Sequence, residues 1–180
     1  MAGSLPRVGA LVLCALLAFG CAKASGEGNA MGQVWAPDCG LDGEDFELNP
    51  DFFAMQPSSS VEIIDIVVQR GSDLKSYTDG FSVFIREPEM VKESMLGSEI
   101  QFGGLEAPVE MTLYLNRTCP GLARIPVVYA AVSGSIRFDE LYVPWLTNET
   151  KITSAVFTDV ELVDNKDPDT RRAVLSGDFT

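Results

Sequence analysis

The sequence predicts an all-β protein, an antiparallel β-sandwich or barrel of about seven or more strands with one short helix. Three observations carry this. From Ser60 onward the chain breaks into short runs rich in β-branched and aromatic residues, separated by turn residues at fairly regular spacing. Several of these runs alternate apolar and polar side chains with the period of two that a half-buried strand requires. No stretch sustains the period of an amphipathic helix.

The elements follow in chain order. Val61–Gln69 is apolar on both faces except at Glu62, Asp65 and Gln69, which suits a strand in the middle of a sheet. Phe81–Ile85 follows a Thr78-Asp79-Gly80 turn and reads as the next strand. Pro88–Leu96 is the one helix expected: Pro88 suits a first helical position, Glu87 and Glu89 complement the amino end, and Gly97 suits the stop. Val109–Asn116 alternates, with Val109, Met111, Leu113 and Leu115 on one face. Val127–Val132 and Ile136–Phe138 are interrupted by Ser133-Gly134-Ser135, where the glycine predicts a bulge or tight bend. Ile152–Val163 alternates again, placing Ile152, Val156, Val160 and Leu162 opposite Thr153, Asp159 and Glu161. Ala173–Phe179 is the last strand. Thr180 stands within what reads as a running strand, so a carboxyl end truncated before that strand's partner or continuation is the expectation.

Upstream of Ser60 the texture differs. Residues 21–33 are small and polar, with Ser25, Gly26, Gly28 and Gly32, and predict a flexible tether. Residues 34–59 mix acids with Phe46, Phe52, Phe53, Pro50 and Pro57, show no period, and predict an irregular lead-in to a β domain spanning 60–180.

Composition excludes several functions. The chain carries 13 basic and 26 acidic residues, no histidine, and 46% hydrophobic residues, which is globular rather than disordered. An acidic chain without a basic cluster repels phosphate backbones, so no nucleic-acid partner is expected. Lacking histidine, it has no Ser-His-Asp or Cys-His arrangement and no His-ligated metal. No phosphate-cradling glycine loop, dinucleotide fingerprint or Gly-x-Ser-x-Gly occurs, and no cofactor is expected. Paired carboxylates of a glycoside hydrolase can be drawn from any chain with 26 acids, so their abundance carries almost no information, and spacing in sequence cannot set their separation.

Residues 1–20 form the leader: Arg7 is the only charge before an apolar run, Leu11 to Gly20, which is too short to span a bilayer. The run ends in Leu17-Ala18-Phe19-Gly20-Cys21, which resembles the lipobox of bacterial lipoprotein precursors, with Ala18 and Phe19 in place of the commoner residues. The resemblance implies that Cys21 is lipidated and becomes the mature first residue, anchoring the protein to a membrane. Ala22, where an aspartate often signals inner-membrane retention, then implies the outer membrane of a Gram-negative envelope. The competing site is Ala22-Lys23-Ala24, an ordinary signal-peptidase pattern that would release a secreted protein after Ala24. Removing the leader takes away Arg7 and no acid, leaving 12 basic and 26 acidic residues and a formal charge of −14.

Cys14 leaves with the leader and Cys21 is the proposed acylation site, so Cys39 and Cys119 remain. In an oxidising compartment two such cysteines pair, stabilising by about 4 kcal/mol in the chain-entropy model. The alternative is two free buried thiols. A zinc site is disfavoured by the lack of histidine and of Cys-x-x-Cys, and no metal ligand is assigned. Two acidic loops, Asp38–Asp45 with Asp42, Glu44 and Asp45, and Asp164–Asp169, read as solvated turns, with calcium binding as the alternative. Tyr142 and Trp145, flanking Pro144, are either a ligand contact, stacking on a glycan or filling a partner's pocket, or a loop covering one end of the core. Asn116-Arg117-Thr118 and Asn148-Glu149-Thr150 match the glycosylation acceptor pattern and, in a bacterial chain, are chance.

The expectation is therefore a non-enzymatic, lipid-anchored envelope protein whose β domain binds or supports an envelope partner. The alternative is a carrier for a small apolar ligand or lipid, whose interior cavity would be lined by residues such as Phe84, Met111 and Leu113.

Overall fold

The computed structural model of the chain describes residues 22–72, 75–104, 106–119, 127–146 and 150–180. Among these, eleven strands form one antiparallel sheet, and the all-β expectation holds. Across the sheet the order is β1 (Ala22–Ala24), β4 (Phe52–Ser58), β5 (Ile63–Gln69), β6 (Asp79–Ile85), β8 (Val109–Leu115), β9 (Val128–Glu140), β10 (Ser154–Asp164), β11 (Arg172–Phe179), β2 (Gly28–Ala36) and β3 (Leu41–Leu48). A two-residue strand, β7 (Ile100–Gln101), pairs with β9. No described helix is long and apolar enough to cross a membrane.

The architecture is a single sheet curled into a half-barrel around one core. Phe81 on β6 meets Phe157 on β10 edge to face, 5.3 Å between ring centroids, and Phe179 on β11 at 5.9 Å. These strands lie three and four places away in the sheet, so only strong curling brings the rings together. Each buried ring contributes roughly 1.5–3 kcal/mol of hydrophobic stabilisation. Met111 and Leu113 point into the same core, whereas Phe84 lies half-buried on the opposite face, paired with Asp65 and Glu110.

The predicted strands from Val61 to Phe179 are present. The helix spans Pro88–Met90 as an α-turn and continues through Val91–Met95 as a π-turn. It stops before Gly97, at φ +72°, whose N–H bonds to the Phe138 carbonyl at 2.8 Å. The interruption at Ser133-Gly134-Ser135 is a bulge inside one long strand, β9, with Gly134 at φ +91°. A Cβ there would meet the Asp159 carbonyl oxygen at 2.5 Å, so only glycine fits. The facing bulge on β10, with Asp159 at φ +48°, shifts the register between Phe157 and Val160. It also corrects the predicted faces. Ala155 and Phe157 point inward before the bulge, Val160 and Leu162 after it, and Ile152 and Val156 are exposed.

Two expected segments are corrected. Residues 22–33, read as a tether, begin the sheet: β1 pairs with β4 and β2 lies between β11 and β3. Ala30, Val34 and Ala36 are buried while Met31 and Gln33 are exposed, an alternation hidden because the inward side chains are small. Residues 34–59, read as irregular, supply the rest of β2 with β3 and β4. β3 is a sheet edge, and its Asp42, Glu44, Asp45 and Glu47 are the charges by which an edge strand resists pairing with other chains. Pro57 lies in the part of β4 that β1 does not cover, where its missing N–H costs no ladder bond. The last strand, β11, pairs with β10 on one side and β2 on the other.

Cys39, in the Pro37–Cys39 turn after β2, is disulfide-bonded to Cys119 after β8, with 5.4 Å between their Cα atoms. The bond staples the two halves of the curled sheet at one end.

Candidate functional site

At one end of the half-barrel, between β1, β4, β5 and the end of β11, lies an apolar cavity of about 500 Å³. Its walls are Phe53, Met55 and Ile66 from the sheet and Phe179 from the last strand, and it is roofed by the connection between β9 and β10. That volume falls within the roughly 300–1,000 Å³ of small-molecule sites.

The roof is held by polar contacts from several elements. The Tyr142 amide donates to Thr153 Oγ1 at 3.0 Å, closing the connection on itself. Trp145 Nε1 donates to Glu89 Oε1 at 2.7 Å, and Lys92 Nζ donates to the Leu141 carbonyl at 2.7 Å. The short helical segment thus clamps the roof from outside. The floor is closed by paired backbone bonds between Glu27 and Thr180, at 3.0 and 2.8 Å, which extend the β2–β11 ladder. Gly26 fits there because a Cβ would meet the Thr180 oxygen at 2.4 Å and the Phe53 ring at 2.7 Å.

The structure separates the two predicted contact aromatics. Tyr142 lines the cavity. Trp145 is half-buried, packs against the core and bonds to Glu89, so the two do not form a common stacking platform. Phe84, Met111 and Leu113, suggested as a carrier's lining, do not line the cavity. Lys151 and exposed Ile152 stand at the rim and were not singled out from sequence. No local pattern marks them, because the cavity is assembled from segments far apart in the chain.

The turn expectation is corrected for the first acidic segment, whose Asp42, Glu44 and Asp45 lie in strand β3, whereas residues 165–170 do form a turn. Asp42, Glu44 and Asp45 are exposed on this edge strand, where Glu44 Oε2 accepts the Asp42 amide across a bulge at Gly43. Asp38 and Asp164 share Arg171, whose guanidinium bonds to Asp38 and lies 3.4 Å from Asp164 Oδ2. That guanidinium supplies the positive charge a cation would have brought. Asp164 also accepts the Lys166 amide at 2.8 Å. Beneath this cluster the Tyr129 hydroxyl is buried with no hydrogen-bond partner among the described residues, and burial pushes its pKa up to about 12. Asp38 lies beside Cys39 and Cys119, but their sulfurs are bonded to each other and offer no thiolate.

Asn116 of the first acceptor pattern is buried. Its Oδ1 accepts the Val127 amide at 2.9 Å and its Nδ2 bonds to the Lys75 carbonyl, so it serves the fold. Cys21, Cys14 and Asn148 lie outside the described residues. Comparison of the chain with protein-family models, curated proteins and solved structures gave no match.

Proposed function

We propose that this chain is an exported, lipid-anchored protein of the cell envelope, outer membrane by its Ala22, that binds an apolar ligand rather than catalysing a reaction. The observation that carries the binding role is the apolar cavity of about 500 Å³, walled by four sheet and strand-end side chains and roofed through Tyr142. The Cys39–Cys119 disulfide supports export, since such bonds persist in oxidising compartments. The sheet is an open half-barrel and not the closed barrel of the carrier expectation, and Phe84, Met111 and Leu113 lie elsewhere; the end cavity supports ligand binding at a different place from the one expected. The separation of Tyr142 from Trp145 argues against a glycan-stacking surface.

With Cys21 as the anchor, the domain sits directly on the membrane. Cys21 directly precedes Ala22, the first residue of β1, in the sequence. Ala22 pairs with Met55, which lines the cavity. In this reading the residue after the anchor opens a wall strand of the cavity, which favours the bilayer as the ligand's source.

Metabolic labelling with palmitate tests the anchor: the wild-type chain takes the label and Cys21→Ser does not. Titration with the apolar dye N-phenyl-1-naphthylamine tests the cavity. Saturable one-to-one binding is expected, lost in Ile152→Trp, which fills the rim from an exposed position. Dye binding unaffected by that substitution would remove the cavity from the account.

A further inference from the structure

We infer that the ligand is a single acyl chain ending in an anionic head, its chain along Phe53, Met55 and Phe179 and its head at Lys151. The inference rests on the cavity reading given above and goes further by naming the ligand's chemistry.

The first observation is charge. The chain holds twice as many acids as bases, yet the cavity lining contains Lys151 and no acidic side chain. Lys151 is exposed at the mouth and makes no ion pair among the described residues, so its ammonium is available to a ligand. The second observation is the partition of the lining. Aromatic and aliphatic side chains form the interior, whereas Lys151 and Thr153 belong to the roof connection. This arrangement fits an amphiphile with one long apolar tail. A wholly apolar ligand leaves the cation unused, and a polar one leaves the apolar walls in contact with water. The third is where the cavity wall begins: β1 starts at Ala22, the residue that follows the proposed acylation site in the sequence, and pairs with the cavity strand β4.

The chemistry is shared by a free fatty acid and a lysophospholipid, and one titration distinguishes them. The full chain carrying Cys21→Ser, which cannot be acylated, is titrated with cis-parinaric acid and with its methyl ester, followed by fluorescence. The acid is expected to bind one to one, and Lys151→Met to weaken it about fivefold, as for a solvent-exposed ion pair. The ester is expected to bind more weakly and to be insensitive to Lys151→Met. Displacement by palmitate at lower concentration than by lysophosphatidylglycerol assigns the fatty acid as ligand, and the reverse order assigns the lysophospholipid; either supports the inference. Acid and ester binding alike, both indifferent to Lys151→Met, overturns the anionic head and leaves the apolar cavity standing. Binding of N-phenyl-1-naphthylamine without binding of either acyl probe overturns the acyl ligand alone. Failure of every probe on a folded protein overturns the cavity reading as well.

Discussion

Removing the Cys39–Cys119 bond should cost a large part of the protein's stability. The bond joins residues 80 apart in sequence, and the chain-entropy relation for a loop of that length gives about 4.5 kcal/mol at 25 °C. Cys39→Ala with Cys119→Ala removes the crosslink without leaving a buried polar group, since Cys119 is fully buried. The assay is equilibrium urea unfolding followed by circular dichroism. With a slope of about 2–3 kcal/mol per M, the midpoint should fall by about 2 M. Wild-type protein unfolded in the presence of reductant should show a similar fall, because both experiments release the same loop. A shift under about 0.5 M in both would mean that joining the halves of the curled sheet adds nothing, and would refute the loop-entropy reasoning.

Three other outcomes follow from the same geometry. Trp145→Phe removes the bond to Glu89 that clamps the roof, and should cost about 1 kcal/mol in urea unfolding while weakening dye binding; unchanged stability and affinity would contradict the clamp. Tyr129→Phe deletes a buried hydroxyl that has no partner among the described residues, so it should be neutral or stabilise by about 1 kcal/mol, and a clear loss of stability would mean that the hydroxyl is hydrogen-bonded. Burial raises Tyr129 to about 12 and Tyr114 well above the ordinary tyrosine value, so the unfolded chain releases these protons first. Stability should be full below about pH 10 and decline above it, by about 1.4 kcal/mol per pH unit for each tyrosine until its folded pKa is passed. Urea midpoints that stay flat from about pH 9 to 11.5 would contradict this.

Strands with large inward residues were legible in the sequence. Val109–Leu115 shows its buried face directly as Val109, Met111, Leu113 and Leu115. The amino-terminal strands were not legible, for different reasons. β2 buries Ala30, Val34 and Ala36, small residues among glycines, whose alternation is weak in hydrophobicity although complete in burial. β3 is masked by the acids that an edge strand carries. β10 alternates in sequence, but its bulge at Asp159 reverses the faces, so half of the residues assigned inward point to solvent. Tyr142, singled out in the sequence, lines the cavity; the Cys39–Cys119 bond, also expected, lies elsewhere in the fold. Lys151, Phe53 and Phe179 meet only because the curled sheet brings β4, the roof and β11 together.

The most direct test is intact mass measurement of the protein extracted from its native envelope, first under native conditions and then denatured. The account predicts a mature chain beginning at Cys21 with acyl groups attached covalently, and under native conditions one additional noncovalent mass of a fatty acid or lysophospholipid that is lost on denaturation. A mature chain beginning at Ser25, unacylated and without bound lipid, would contradict it.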